Sequence, residues 1–336
     1  MKNARDFIWP VVGILAVVLS CWLLYHKLRI LSIGEVWESL QAVSLHHYML
    51  AILSTLAAYA ALAWYDRIAL LHLGIKNISW WYVSVTSFTT YALSHNIGAS
   101  VFSGAVVRYR AYSVKGLSAT QVAILVGLCS FTFFLGVIIL GGVVLTVQPH
   151  LLGELSGKLH HFSEPLHNLL SSERTSFYIG LTLLGFVALY VLGSLARLRP
   201  LNIRKFRLEY PRPGVMVRQL IAGPLELLGA AGIIYFAIPT EVNPGFIVIL
   251  AVFLASFSAA LISHAPGGLG VFELCFTTAL SNIPQADVIA AVLVFRLLYL
   301  ILPFAISIVV VLMHERASLA KAWRRRFHLR PEDHKP

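Results

Sequence analysis

Three ionisable side chains lie inside long apolar stretches of this chain: Glu226, Glu273 and Arg296. A charge at the centre of a bilayer costs at least about 2.5 to 3.5 kcal/mol, so such residues need partners or water, and they often mark transport pathways. We expect Glu273 and Arg296 to contact each other, either at a binding site or only as a link between two helices. Glu226 closely follows Pro224, which favours a kinked helix facing a cavity.

A short polar motif occurs twice, once in each half of the chain. Ser94-His95-Asn96-Ile97-Gly98 is matched 169 residues later by Ser263-His264-Ala265-Pro266-Gly267. Such breaks at matching positions of two apolar halves indicate discontinuous helices at a substrate site, because freed backbone groups are tolerated there only against protein or a polar cavity. His95 and His264 could bind phosphate or relay protons, or serve only in helix packing.

Further candidate anion-binding groups surround these motifs. Four glycines permit tight turns with exposed backbone N–H groups, although close helix packing would also explain them. They are Gly98, Gly267, Gly268 and Gly270. Arg108 and Arg110 could each hold phosphate oxygens with two N–H groups, or could anchor the chain at the cytoplasmic surface. These residues, the two histidines and the three intramembrane charges form the predicted substrate site, and no catalytic or metal-ligating set is predicted.

The composition is that of an integral membrane protein. Hydrophobic residues make up 58% of the 336 residues and charged residues 12%, against about 45 to 50% and about 25% in soluble domains, and the mean hydropathy is +0.78. Cys21, Cys129 and Cys275 lie far apart in apolar stretches, which fits neither a disulfide framework nor a zinc site. We predict an all-α membrane protein that needs no cofactor.

Six continuous apolar stretches are long enough to cross about 30 Å of hydrocarbon. They cover residues 7–25, 45–64, 118–147, 176–195, 215–237 and 287–313. Two further regions, 80–107 and 245–280, are broken near the middle by the repeated motif. They are predicted to be re-entrant helical hairpins, although two full spans at each place would give the same net number of crossings.

The distribution of charge predicts the orientation of these elements. The linker 197–218 and the tail 314–336 are rich in Lys and Arg, which places them and both termini in the cytoplasm, and the segment 148–175 is then the outside loop. Each half makes three net crossings, so the second half, 176–313, is predicted to be inverted relative to the first, 1–147. The tips of the two hairpins would meet near the bilayer centre.

The formal net charge of +11 lies mostly in loops and in the tail, so anionic lipid is the expected partner and nucleic acid is not. Residues 317–329 carry Leu319, Trp323 and Phe327 at helical spacing among basic residues. This pattern predicts an interfacial helix, with a disordered anchor as the alternative. The oligomeric state is left open, a homodimer included.

A known family shares the most specific part of the sequence. Pro266-Gly267-Gly268-Leu269-Gly270-Val271-Phe272-Glu273, with Val294-Phe295-Arg296-Leu297 after it, resembles the flippase-like transmembrane domain of the lysylphosphatidylglycerol synthases in its stand-alone form, which lacks the aminoacyltransferase domain. The resemblance covers nearly the whole chain. It implies a multi-pass protein of the bacterial plasma (inner) membrane that translocates lipid and does not aminoacylate it.

The first half matches this family less closely. It supplies Gly104, Arg108, Gly116, Leu117 and Ser118. However, Asn96-Ile97 stands where the family commonly has a proline, and no Arg follows Gly127-Leu128, where many relatives have one. These differences leave open what the first-half site binds.

Together these features predict that a phospholipid headgroup passes through a polar cavity between two inverted halves while its acyl chains stay in lipid. Basic groups would hold the phosphate, and Glu226 and Glu273 would face the ammonium groups of an aminoacylated lipid. A secondary transporter of a small polar solute and a membrane-embedded lipid-modifying enzyme are the alternatives. An enzyme is not favoured, because no nucleophile is paired with a base.

Overall fold

The computed structural model describes residues 33–97, 100–151, 153–154, 172–196, 201–203, 206–208, 211–263 and 265–313. Several predictions therefore fall outside the described residues. They concern the span 7–25, the interfacial helix 317–329, most of the outside loop 148–175, and the motif residues Gly98 and His264.

The described residues are almost entirely helical, as predicted. The helices are α1 (Ile33–Ala42), α2 (Leu45–His72), α3 (Trp80–Ile97), α4 (Ser100–Ser113), α5 (Ala119–Val147), α6 (Glu173–Leu195), α7 (Pro213–Ala237), α8 (Phe246–Ser263), α9 (Val271–Ala279) and α10 (Gln285–Met313). A 3₁₀ turn, Pro266–Gly268, joins α8 to α9, and α10 contains a π-helical segment, Arg296–Ile301. The strands β1 (Leu201–Ile203) and β2 (Phe206–Leu208) form a small antiparallel ribbon in the basic linker, the one departure from the all-α prediction among the described residues.

Six described helices are long and apolar enough to cross a membrane: α2, α5, α6, α7, α8 and α10. Five of them are predicted spans with adjusted ends. The sixth, α8, forms one arm of a predicted re-entrant hairpin, but its 18 residues are long and apolar enough for a full span. The second broken region therefore consists of the long helix α8 and the short helix α9, which has only nine residues. The depth of both hairpins and the inversion of the halves stay predictions.

Local signals explain where several helices begin and end. The Ser118 hydroxyl accepts a hydrogen bond from the Gln121 N–H while the Gln121 side chain accepts one from the Ser118 N–H, so a capping box starts α5. The helix α2 continues to His72 instead of ending near residue 64. It can do so because Asp66 and Arg67, which look like the end of a span, both bond inside the fold.

The helix α7 occupies the centre of the bundle, with α2, α5 and α10 packed around it. Glycines allow these close approaches. A Cβ atom added to Gly136 of α5 would lie 2.5 Å from the carbonyl carbon of Gly223 in α7, and one added to Gly229 would lie 2.9 Å from the Ser54 carbonyl oxygen in α2. Membrane helices associate through this type of contact, because lipid provides no hydrophobic driving force between them.

The two broken regions lie next to each other. The turn after α8 is possible because Gly267, Gly268 and Gly270 have φ angles of 60°, 64° and 78°, which cost other residues energy. A Cβ atom on Gly267 would lie 3.8 Å from the backbone oxygen of His95 in α3. The side chain of Asn96, the residue in the place of a family proline, donates to the Leu300 carbonyl at 3.1 Å. The described residues of the two breaks are therefore adjacent, while their meeting at the bilayer centre stays a prediction.

The crossing of α5 and α7 provides a test of this packing. We expect Gly136→Ala to destabilise the protein by about 1–3 kcal/mol or more, because the new methyl group meets backbone atoms that cannot move aside. Gly127→Ala is the matched control, since it lies in the same helix with nothing within 4 Å of its added Cβ. The midpoint of thermal unfolding in detergent measures both, and equal midpoints for the two variants would contradict the close crossing.

Candidate functional site

A cavity of about 450 Å³ lies between α7 and the two broken regions. It is bounded by α2 to α5 on one side and by α8, the glycine turn, α9 and α10 on the other. Six of the predicted site residues line it: His95, Arg108, Glu226, Gly267, Gly268 and Arg296. Residues far apart in sequence thus converge on one concave, partly polar space, the usual form of a ligand site.

The cavity opens through apolar side chains. Phe134 of α5 and Leu261 of α8 line it, although 58% and 36% of their surfaces are exposed. Lining residues that are also exposed lie where the cavity meets the protein surface. Both belong to helices that are apolar enough to cross a membrane, so this opening is on a surface suited to lipid.

The predicted contact between Glu273 and Arg296 is confirmed. The Arg296 Nε donates to Glu273 Oε1, and Arg296 Nη1 donates to the Gly267 carbonyl at 3.1 Å. The second oxygen of Glu273, Oε2, accepts the backbone N–H of Gly270 at 2.8 Å. The ion pair therefore also fixes the shape of the glycine turn, which explains why Glu273 lies three residues after Gly270. Arg296 Nη2 is buried without a hydrogen-bond partner among the described residues.

Glu226 lies near the middle of α7, thirteen residues after Pro213 and eleven before Ala237, and is 1% exposed. Its Oε1 accepts the Tyr299 hydroxyl at 2.5 Å. Its Oε2 is buried, and no described residue donates to it. A carboxylate oxygen in this position can accept a hydrogen bond from a bound ligand.

His95 completes the polar part of the cavity. Its ring stacks on Tyr299 with centroids 5.6 Å apart and lies 5.6 Å from the Tyr91 ring. The Nδ1 atom is buried and has no partner within the described part of the chain. Buried polar atoms nearly always have partners, so three lone ones on residues of a single cavity indicate where a ligand or water binds.

A second ion pair is absent from the sequence-based predictions. Asp66 of α2 is fully buried and accepts from Nε and Nη2 of Arg108, with Nη2 at 2.7 Å from Oδ1. The Tyr112 hydroxyl donates to Asp66 Oδ2 at 2.9 Å, and Cys129 is also in contact at 3.4 Å. The Arg108 guanidinium lies over the Tyr91 ring at 4.7 Å. Two of the Arg108 nitrogens that could hold phosphate are therefore bound internally.

The apolar run Ile68-Ala69-Leu70-Leu71 is the signal that could have revealed Asp66. It continues the pattern of the preceding span, so the acid lies within an apolar helix and not at its end. An acid in that position needs a cationic partner.

The remaining predicted residues lie elsewhere. Arg110 is exposed on α4 and does not line the cavity, because residues two positions apart on a helix point about 200° apart. Glu273 and Gly270 lie behind Arg296 and Gly267 and support them. The described residues contain no group of three or more metal-binding side chains.

The fold and the cavity define a multi-pass membrane protein with a charged interior cavity that opens between its helices. Residues 11–307 match the family described as the lysylphosphatidylglycerol synthase TM region. The chain belongs to this family, whose name links it to lipid handling.

Two relatives match it over most of their length. The uncharacterized protein slr0712 of Synechocystis sp. is 27% identical over 293 residues, which cover 87% of both chains. Inner membrane protein YbhN of Escherichia coli is 27% identical over 294 residues, or 86% of both chains. The phosphatidylglycerol lysyltransferase of Staphylococcus haemolyticus is similar over only 92 residues, which are 26% of this chain and 11% of that enzyme.

The Asp66 to Arg108 pair can be tested by removing one charge. We expect Asp66→Asn to cost about 3–5 kcal/mol of stability, because Arg108 would stay buried without a counter-charge. Adding Arg108→Met should recover part of the loss. Thermal unfolding in detergent compares the single and double variants, with Asp287→Asn near the start of α10 as the control for the chemical change. A double variant less stable than Asp66→Asn would argue against a paired buried charge.

Proposed function

We propose that this protein moves phospholipids between the leaflets of a membrane by passing the headgroup through the cavity while the acyl chains remain in lipid. One observation carries this proposal: a single cavity combines buried polar atoms that lack a partner among the described residues with an exposed apolar opening at Phe134 and Leu261. An amphipathic molecule needs both, since its headgroup requires polar partners and its chains require an apolar surface.

The phosphate would bind at Arg296 and His95. Arg296 Nη2 has a donor to offer, and its other two nitrogens are held by Glu273 and Gly267. This fixed orientation reduces the entropy lost when an anion binds. The Nδ1 of His95 lies in the same cavity and adds a second polar group.

An ammonium group on the headgroup would face Glu226. Each arginine of the cavity already has a carboxylate partner, Asp66 for Arg108 and Glu273 for Arg296. Glu226 is the one cavity-lining carboxylate among the described residues that has no cationic partner. A zwitterionic headgroup would therefore find a donor at Arg296 and an acceptor at Glu226 in one space, which lowers the cost of carrying both charges.

The remaining features of this proposal come from the sequence and the relatives. The two halves, 1–147 and 176–313, would be inverted and would expose the cavity alternately to each side, as in other transporters built from repeats. Both termini would be cytoplasmic, with anionic lipid bound at the basic tail. The name of the E. coli relative supports an inner-membrane location. The protein would not act as an enzyme, since the relatives that match most of its length carry no enzyme name.

Transport of a small polar solute is the second candidate. A volume of about 450 Å³ lies within the range of about 300–1,000 Å³ for small-molecule sites. The exposed apolar opening favours a lipid as the substrate, because a small polar solute would not need an apolar entrance.

A reconstituted assay tests the proposal. Vesicles containing the protein and a trace of phosphatidylglycerol or phosphatidylethanolamine with a fluorescent acyl chain are treated with dithionite, which quenches only the outer leaflet. Wild-type protein should expose the inner pool to quenching. Arg296→Ala and Glu273→Gln should slow this exchange about tenfold or more, because a charge-assisted hydrogen bond is worth about 1.5–3 kcal/mol.

Matched controls are Arg218→Ala and Glu241→Gln. Both residues are exposed, and neither lines the cavity; Arg218 bonds to the Gly214 carbonyl of its own helix. They should exchange lipid at the wild-type rate. Wild-type vesicles that never exchange the probe but take up a soluble polar compound would favour the solute transporter instead.

A further inference from the structure

We propose that Glu226 is a proton-binding site that couples lipid movement to a proton gradient, with a proton and the headgroup ammonium binding in turn to the same carboxylate. This inference rests on the proposed function. It starts from the difference between Glu226 and the other two acids that are buried in the described part of the chain, Asp66 and Glu273, each of which has an arginine partner.

An anion without a cationic partner is costly in a membrane interior, and either a proton or a bound cation removes that cost. Asp66 and Glu273 need neither a proton nor a bound cation, because Arg108 and Arg296 balance their charges. Among the described residues, Glu226 is approached by hydroxyl groups and not by a cation: Tyr299 donates to it at 2.5 Å, and the Tyr65 hydroxyl also interacts with it. Its Oε2 can therefore hold a proton when the cavity contains no lipid headgroup and can release it when an ammonium group arrives.

Protons can reach Glu226 through the cavity. A site needs only about 10–15 Å³ to hold one water molecule, and the cavity measures about 450 Å³ with Glu226 on its wall. A proton would leave Oε2 for cavity water as the carboxylate binds the ammonium group, and it would return from water after the lipid leaves. One proton and one lipid would thus move in opposite directions in each cycle.

The titratable groups packed around Glu226 indicate that Glu226 itself is the site that exchanges a proton. From α2, Tyr59 donates to the Tyr299 carbonyl at 2.9 Å. Tyr65 donates to the Gly223 carbonyl at 3.3 Å and also interacts with the Glu226 carboxyl group, to which it can offer a neutral hydroxyl but no charge. From α5, the Cys129 thiol contacts Asp66. From α6, Tyr190 donates to Gln219 of α7 at 2.6 Å. The helix α8 has no titratable side chain.

Across the cavity stand Arg108, Arg296 and His95. Both arginines are paired with other carboxylates. The Nδ1 of His95 is also unpartnered among the described residues, and its ring stacks on Tyr299, which donates to Glu226. His95→Gln therefore has to accompany the Glu226 variants, so that a response of the histidine is recognised as such.

A pH gradient across proteoliposomes tests the coupling. The vesicles consist of phosphatidylglycerol with a trace of phosphatidylethanolamine labelled on its acyl chain, and protein-free vesicles serve as blanks. Exchange of one proton for one net-neutral phosphatidylethanolamine moves a positive charge, so valinomycin with equal potassium on both sides holds the membrane potential at zero. At one proton per lipid, a difference of one pH unit then corresponds to about a tenfold ratio of the probe between leaflets. Wild-type protein should therefore concentrate the probe in the leaflet on the acidic side, up to about that ratio.

The variants identify the group that responds. Glu226→Gln should lose the effect of the gradient whatever its exchange rate, whereas the exposed control Glu241→Gln should behave as wild type. Glu226→Asp and His95→Gln alter the binding cavity and should exchange the probe more slowly, but both should still reach an uneven final distribution. A separate infrared titration needs no transport: acidification should produce the C=O band of a protonated carboxyl group that Glu226→Gln removes.

Different results would refute proton coupling and lipid translocation. If wild-type protein exchanges the probe but the pH gradient leaves it evenly distributed, coupling is refuted and translocation stands. Coupling through Glu226 is likewise refuted if only His95→Gln abolishes the response, if a sodium gradient replaces the proton gradient, or if the infrared band persists in Glu226→Gln. If wild-type protein exchanges no lipid at equal pH, the proposed function itself fails.

Discussion

The cost of burying charge in a membrane interior governs the centre of this protein. Each arginine in the cavity is fixed by a carboxylate from another helix: Asp66 of α2 holds Arg108 of α4, and Glu273 of α9 holds Arg296 of α10. Neither pair could form unless the two broken regions were folded against the bundle. The ion pairs thus connect elements for which lipid provides no hydrophobic driving force.

The repeat of the Ser-His motif does not extend to the charges. With the offset of 169 residues between Ser94 and Ser263, Glu273 corresponds to Gly104 and Arg296 to Gly127, while Glu226 corresponds to Ala57. The absence of an arginine after Gly127-Leu128 is one part of this difference. In the first half, Gly104 instead leaves room for Arg108, whose Nη1 would lie 3.4 Å from an added Cβ. The motif is therefore repeated along the sequence, but the charges around the cavity are not.

The sequence predicts the framework better than the pairing of its charges. Hydropathy locates the spans, and the need of each intramembrane charge for a partner predicts that Glu273 and Arg296 meet. The same reasoning misses Asp66, because Asp66-Arg67 looks like the end of a span and the partner of Asp66 is 42 residues away. It also includes Arg110 beside Arg108 among the site residues, although Arg108 is buried and Arg110 is exposed. The sequence also does not reveal which polar atoms lack a hydrogen-bond partner. That depends on distances between packed helices, and residue spacing along the chain does not determine those distances.

The π-helical segment of α10 links the two acids of the second half. Arg296 begins this segment and holds Glu273, while Tyr299, three residues later, holds Glu226. A π turn disturbs the ordinary pattern of carbonyl bonds, and two of its carbonyls accept from elsewhere: Tyr299 from the Tyr59 hydroxyl and Leu300 from Asn96. Because the same short segment carries both contacts, rewinding it as a regular α-helix would move Arg296 relative to Tyr299. Arg296 and Glu226, which line the same cavity, are therefore connected through α10. The proposed transport of a zwitterionic headgroup would use such a connection, because it needs both groups at once.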